Sequence, residues 1–269
     1  MSSPSLIDLL ELDRIDRDIF QARSHESREG RLFGGQIAAQ ALRSAAHTVH
    51  VDHEVNSLHC YFLRPGRYGV PVTYLVDRIR DGASFSTRRI VALQDGEAIL
   101  NLDASFHTTE PGYDFELPSP LGQTPNPEEL TDSRRHHHHH PFLQREISSP
   151  ASADVLRARW VKTVGELPDD PVIHACALVY MSDSGPVSAA MTAIEKEDRW
   201  DGQFMTASLD HNMWFHRRAR ADEWLLYELG AVAAHGARGL ARGAMWSSDG
   251  HLAVSIVQES LLRERRATR

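Results

Sequence analysis

The chain has 269 residues, 41% of them apolar and 25% charged, with a formal net charge of −8. A length of this order suits two folded cores, and no apolar run approaches the roughly 20 residues that cross a bilayer, so membrane insertion is not expected. The acidic excess argues against general nucleic-acid binding, which depends on Lys and Arg against phosphate, and an anionic ligand would need a local basic patch.

The N-terminal stretch MSSPSLIDLLELDRID lacks a basic n-region, and Asp8, Glu11 and Asp13 interrupt what a secretory signal would keep apolar, so a cytoplasmic protein is expected. The first helical pattern covers Gly35 to Val49, where Ala and Leu recur at helical spacing. Strand-like segments follow at roughly residues 70 to 79, 84 to 94 and 97 to 108. Cys60 and Cys176 are far apart and share no CxxC spacing, which suits small buried residues better than a disulfide framework or a zinc site.

Between residues 111 and 152 the amphipathic pattern fades into prolines, polar residues and a histidine run, the composition of a linker. His136 to His140 are adjacent histidines in a loop, which do not build a closed coordination geometry, and no metal is expected. Beyond the linker a second helix is predicted from Pro171 to about Ser184, with Pro171 suited to a first turn and Pro186 ending or kinking the helix. Strands are then expected at roughly 223 to 233, 237 to 247 and 251 to 263.

The same grammar thus occurs twice, in an N-terminal unit of residues 1–110 and a C-terminal unit of residues 153–269. An offset of 154 places Gly82 on Gly236, Arg88 on Arg242 and Asp95-Gly96 on Asp249-Gly250. Asp-Gly between apolar runs is a hairpin signal, because type I′ turns need positive φ at both central residues. The expected fold is α+β: an antiparallel sheet wrapped around one apolar helix, done twice and joined into one continuous sheet, a double hotdog.

Seven segments carry a family resemblance: FGGQIAAQ (Phe33 to Gln40), HCYFLRPG (His59 to Gly66), RDGASFSTRR (Arg80 to Arg89), YMSD (Tyr180 to Asp183), SLDHNMWFHR (Ser208 to Arg217), EWLLYE (Glu223 to Glu228) and VQES (Val257 to Ser260). In this order and spacing the chain resembles the bacterial acyl-CoA thioesterase II family of double-hotdog enzymes. The resemblance implies hydrolysis of a fatty acyl-CoA without a cofactor, by a catalytic trio falling on Asp183, Ser208 and Gln258. Many relatives carry Thr at the middle position, and Ser keeps its hydroxyl. A further homodimer or homotetramer is open by analogy with single-hotdog relatives, which pair to build what this chain holds in one piece.

The residues allow that chemistry. Asp183 ends the run VIHACALVYMS, whose one ionisable side chain besides Cys and Tyr is His174, so its carboxylate would be partly desolvated and able to act as a base; read alone, it could equally cap its helix. No GxSxG surrounds Ser208, which argues against a covalent serine and for a hydroxyl that holds water. Gln258 can donate and accept at once, as a water-orienting group must. Backbone amides of Gly34 and Gly35 are candidates for the oxyanion. Arg64, Arg88, Arg89, Arg217 and Arg218 are candidates for CoA phosphates, and Trp214, Phe215 and Trp224 for an acyl tunnel.

Two alternatives stand beside this reading. An enoyl-CoA hydratase of this fold would use a His beside the Asp, and none lies between Asp183 and Ser208. A non-catalytic acyl-CoA-binding hotdog protein would have no need of all three residues. The first helix offers no carboxylate and Ala104 matches Gln258, so one active site per chain is expected.

Overall fold

The structure, a computed structural model, describes residues 4–23, 30–133, 141–148, 154–194 and 204–265. The run His136 to His140 lies outside the described residues. The first half contains α1 (Leu6–Leu10), β1 (Leu12–Asp16), β2 (Ile19–Ala22), α2 (Gly34–Ala46), β3 (His53–Phe62), β4 (Val72–Asp81), β5 (Phe85–Gln94) and β6 (Glu97–Thr108). The second contains β7 (Phe142–Ile147), β8 (Arg157–Thr163), α3 (Pro171–Ser182), α4 (Pro186–Ile194), β9 (Phe204–Ser208), β10 (Asp210–Phe215), β11 (Leu225–His235), β12 (Arg238–Trp246) and β13 (Leu252–Glu264).

These strands form one antiparallel sheet in the order β1-β2-β4-β5-β6-β3-β10-β13-β12-β11-β8-β7, with β9 also paired to β13. The order is a palindrome about β3 and β10, so each strand of one half has a counterpart in the other, and the double hotdog is present as one continuous sheet. His59 of β3 lies opposite Asn212 of β10, 153 residues on. Both long hairpins carry a register shift at the same place, around Ile79 in β4 and Val232 in β11, again 153 apart. A shared bulge at a shared position is what duplication of one hairpin would leave.

The offset of 154 holds only after the last hairpin. In the first half Gln94 faces Glu97 across a two-residue turn, with φ of 49° at Asp95 and 79° at Gly96, as a type I′ turn requires. In the second half Trp246 faces Leu252 across a longer loop in which only Gly250 has positive φ. The extra residue shifts the preceding strand by one. Arg88 therefore corresponds to Ala241 and not to Arg242, in agreement with burial: Arg88 and Ala241 are both 1% exposed.

The helices lie on one face of the sheet. Small residues let α2 approach closely: Ala38, Ala39, Ala41 and Ala45 are fully buried and the helix packs onto β4, β5 and β6. α3 carries larger side chains, packs chiefly on α2, and leaves β11, β12 and β13 to α4. Gly239 makes room for α4, since a Cβ there would stand 3.0 Å from that of Ala190. Pro186, expected to end or kink the second helix, instead opens α4, with three residues between it and the end of α3.

The stretch expected as a linker is only partly one, because β7 lies inside it and pairs with β8. Residues before β7 cover the outer face of the second half, where Trp160, Trp224, Leu226 and Trp246 form a separate apolar cluster against Leu121 and Leu130. Among the described residues no helix is long and apolar enough to cross a membrane.

Candidate active site

α2 and α3 pack side by side and antiparallel, so the first turn of α2 meets the last turn of α3, and their sequences explain why. α2 starts after Phe33, whose side chain provides no capping hydrogen bond, so the first amides of the helix are left for another partner. The partner is Asp183, the C-cap of α3: the Gly35 N–H donates to its Oδ2 at 2.8 Å. Glycine is required for this approach. A Cβ on Gly35 would lie 2.5 Å from the Tyr180 carbonyl oxygen, and one on Gly34 would lie 2.7 Å from Asp183 Oδ2.

The helix N-terminus favours a negative charge, yet the carboxyl is 8% exposed among apolar neighbours. Burial dominates the hydrogen bonds from Gly35 and Ser208 and pushes the Asp183 pKa up to about 7. Both protonation states are then populated at neutral pH, as a general base working there needs.

Ser208 ends β9, and its hydroxyl donates to Asp183 Oδ1 at 3.2 Å. Gln258, inward on β13 and fully buried, donates from Nε2 to Ser208 Oγ at 2.9 Å. The three residues singled out in the sequence are thus joined in one hydrogen-bonded line.

A fourth residue was not anticipated. His211 of β10 is fully buried, and its Nδ1 lies 2.7 Å from Gln258 Oε1 while its Nε2 lies 2.7 Å from Ser182 Oγ. Burial pushes its pKa down to about 4 against the hydrogen bond to Gln258, so the ring is neutral at pH 7 with one N–H. Along this line one direction of donation fits, with the Ser182 hydroxyl, which also lies 2.9 Å from the Val179 carbonyl, giving its proton to His211: Ser182 to His211, His211 to Gln258, Gln258 to Ser208, Ser208 to Asp183. A buried chain in which every group is satisfied fixes each side chain. The sequence held a signal for His211, since it alternates with Met213 and so falls on the core face of its strand.

The candidate arginines scatter. Arg88 is corrected outright: it is 1% exposed, and its five donors go to Thr48 Oγ1, the carbonyls of Thr48, Arg80 and Thr87, and Asp81. None is left for phosphate. Arg89 pairs with Asp103 across β5 and β6, Arg217 with Asp114 and Glu116, and Arg218 with Glu54. Arg217 and Arg218 border a cavity at the opposite ends of α2 and α3, away from Asp183. Arg64 donates to the Ala98 carbonyl at 2.8 Å and lies two residues past Phe62, whose ring packs beside Gly34.

The aromatic residues divide as well. Trp224 lies in the outer cluster, with the Arg145 and Lys162 cations 4.5 and 4.9 Å from its ring centre, and cannot line an inner tunnel. Trp214 is 37% exposed against His59, and Phe215 alone borders an inner cavity. Among the described residues no cluster of His, Cys, Asp and Glu could hold a metal.

Comparison with known proteins agrees with this geometry. A family model described as acyl-CoA thioesterase matches residues 132–261, and one described as the acyl-CoA thioesterase N-terminal domain matches residues 23–107. The chain is 37% identical to acyl-coenzyme A thioesterase 8 of Mus musculus over 95% of this chain and 88% of that protein. It is 34% identical to acyl-CoA thioesterase 2 of Haemophilus influenzae over 96% and 97%. The crystal structure of the acyl-CoA thioesterase II TesB2 from Mycobacterium marinum superposes with a TM-score of 0.85 at 37% identity, covering 97% of this chain and 99% of that one. With both halves matched and the identity sustained over nearly the whole length, the chain belongs to the acyl-CoA thioesterase family.

Proposed function

We propose that the protein hydrolyses fatty acyl-CoA to a fatty acid and coenzyme A by direct attack of a water activated at Asp183. The observation that carries the reading is the line Asp183–Ser208–Gln258, with bonds of 3.2 and 2.9 Å, around a carboxylate whose pKa lies near neutrality. Asp183 takes a proton from water as the water oxygen adds to the thioester carbonyl carbon. Ser208 and Gln258 orient that water, and His211 acts through Gln258 as a positioning residue.

The tetrahedral oxyanion falls to Gly34. The Gly35 amide is already given to Asp183, whereas that of Gly34, first in its helix, has no helical carbonyl to reach and no partner among the described residues. Collapse of the intermediate breaks the C–S bond, and the thiolate takes the proton held by Asp183.

A hydratase is disfavoured by His211, which is fully buried with both ring nitrogens engaged and so cannot exchange protons with a bound substrate. Assay of the purified protein against a series of acyl-CoA esters, with free thiol as the readout, tests the reading. Thiol release that Asp183→Asn suppresses is expected. Binding without thiol release would establish the non-catalytic alternative.

A further inference from the structure

A cavity of about 440 Å³ opens at the other end of the helix pair, with Leu42 and Ala46 of α2, Val172 and Leu178 of α3, Phe106 and Phe215 among its walls. Its place follows from the duplication. Exchanging the two halves carries the Asp183 end of the pair onto this end, and puts Val55 where Ser208 stands and Phe106 where Ser260 stands, the two pairs that face each other across equivalent strands. The catalytic groups are absent, but the space has not been filled.

The inner walls are apolar around two polar groups, whereas the mouth is polar, with Glu110, Asp169 and His216 beside the arginines. His174 is 6% exposed, and its Nδ1 accepts the Ala221 N–H at 3.1 Å, which leaves the ring proton on Nε2. Burial holds the ring below its usual pKa and therefore neutral at pH 7. That Nε2–H has no partner among the described residues, and neither has the buried Oδ1 of Asn56, which borders the same cavity. A buried donor and a buried acceptor without partners are costly and call for a ligand group that supplies both. The rim selects against an anion: Arg217, Arg218 and Arg220 are neutralised by Glu116, Glu54 and Asp222, so no excess cation faces a CoA phosphate. α3 offers no anion cradle either, because Pro171 has no N–H and the Asp170 side chain caps the Val172 amide at 2.9 Å.

We propose that this cavity is a second ligand site, which takes the hydrocarbon chain of a free fatty acid whose neutral carboxyl accepts from His174 Nε2–H and donates to Asn56 Oδ1. The site is read from the cavity and does not depend on which residues perform hydrolysis. A fatty acid is also the class of molecule that the proposed reaction releases, so the experiment must count two sites.

Calorimetric titration of the full chain with decanoic acid, followed by 13C NMR of the bound [1-13C] acid, tests the proposal. Two equivalents per chain are expected, one of them with a carboxyl that stays protonated at pH 7. Ala175→Trp, which fills the cavity, should remove that equivalent and its NMR signal while leaving kcat and KM for acyl-CoA unchanged. His174→Leu, which empties the donor position without adding bulk, should weaken the same equivalent by about tenfold and guards against misfolding of the Trp variant. Titrations in which no equivalent is weakened by both substitutions would overturn the proposal. Persistent thiol release by Asp183→Asn would sink the base assignment and leave this stoichiometry untouched.

Discussion

The two ends of the α2–α3 pair share a backbone plan and differ in how their helix N-termini are finished. α2 begins behind Phe33, with no side-chain cap and two glycines, so its Gly35 amide meets the Asp183 carboxylate. α3 begins with Pro171 behind Asp170, whose own carboxylate takes the Val172 amide. One end is left open for chemistry and the other is closed on itself. Around them the strands repeat the contrast, with Ser208 and Gln258 against Val55 and Ala104. Duplication supplies two equivalent places, and the capping residue decides whether the helix end is available to another group.

The largest effect that would break this contrast is at Asp183. Asp183→Asn should keep the fold and lower kcat by about a hundredfold or more, with no residual component of different KM, since the other end lacks a base. The unmodified enzyme should gain kcat/KM as pH rises through about 7, where the buried carboxyl loses its proton. A flat profile across that range would place the base elsewhere.

Ser208→Ala and Gln258→Ala should each lower kcat by about tenfold to a hundredfold with a smaller change in KM, because the role proposed for both is on water. An effect confined to KM would make them substrate-binding residues. Gly35→Ala should cost about 1–3 kcal/mol of stability, measurable by urea denaturation, because its Cβ would press on the Tyr180 carbonyl. Loss of activity should accompany it as the Asp183 contact opens.

A smaller effect is thermodynamic. The folded-state pKa of Asp183 lies above its unfolded value of 3.8, so the folded protein holds the proton more tightly, and the stability this contributes is lost as pH rises toward about 7. The melting temperature of Asp183→Asn should therefore gain on that of the unmodified chain between pH 4 and pH 8. An advantage that shrank over this range would contradict the buried charge. The smallest effect belongs to the closed end: Val55→Ser should change kcat by less than about twofold, since no carboxylate faces it.

Much of this could be read along the chain. The six long strands and both central helices follow from periodicity, and the trio of Asp183, Ser208 and Gln258 from matched segments in order; they meet within 3.2 Å in space. β7 was hidden in a stretch rich in prolines and polar residues, because an edge strand of six residues leaves little pattern to see. α4 was missed because Pro186 reads equally as a stop and as a first helical residue. Arg88 read as a phosphate ligand because a sequence does not say which face of a strand is covered, and here its face is closed by α2 and Thr48.

The sequence by itself determined the duplicated pattern, the membership of its segments in one family, and the residue types able to hold a water. It could do so because periodicity and residue chemistry are local properties of the chain. Only the tertiary structure decided that the Gly35 amide belongs to the Asp183 carboxylate, that His211 stands behind Gln258, and that a one-residue longer hairpin moves Arg88 onto Ala241. These depend on which groups become neighbours across some 50 to 150 residues, and on how far burial shifts a proton once water is excluded.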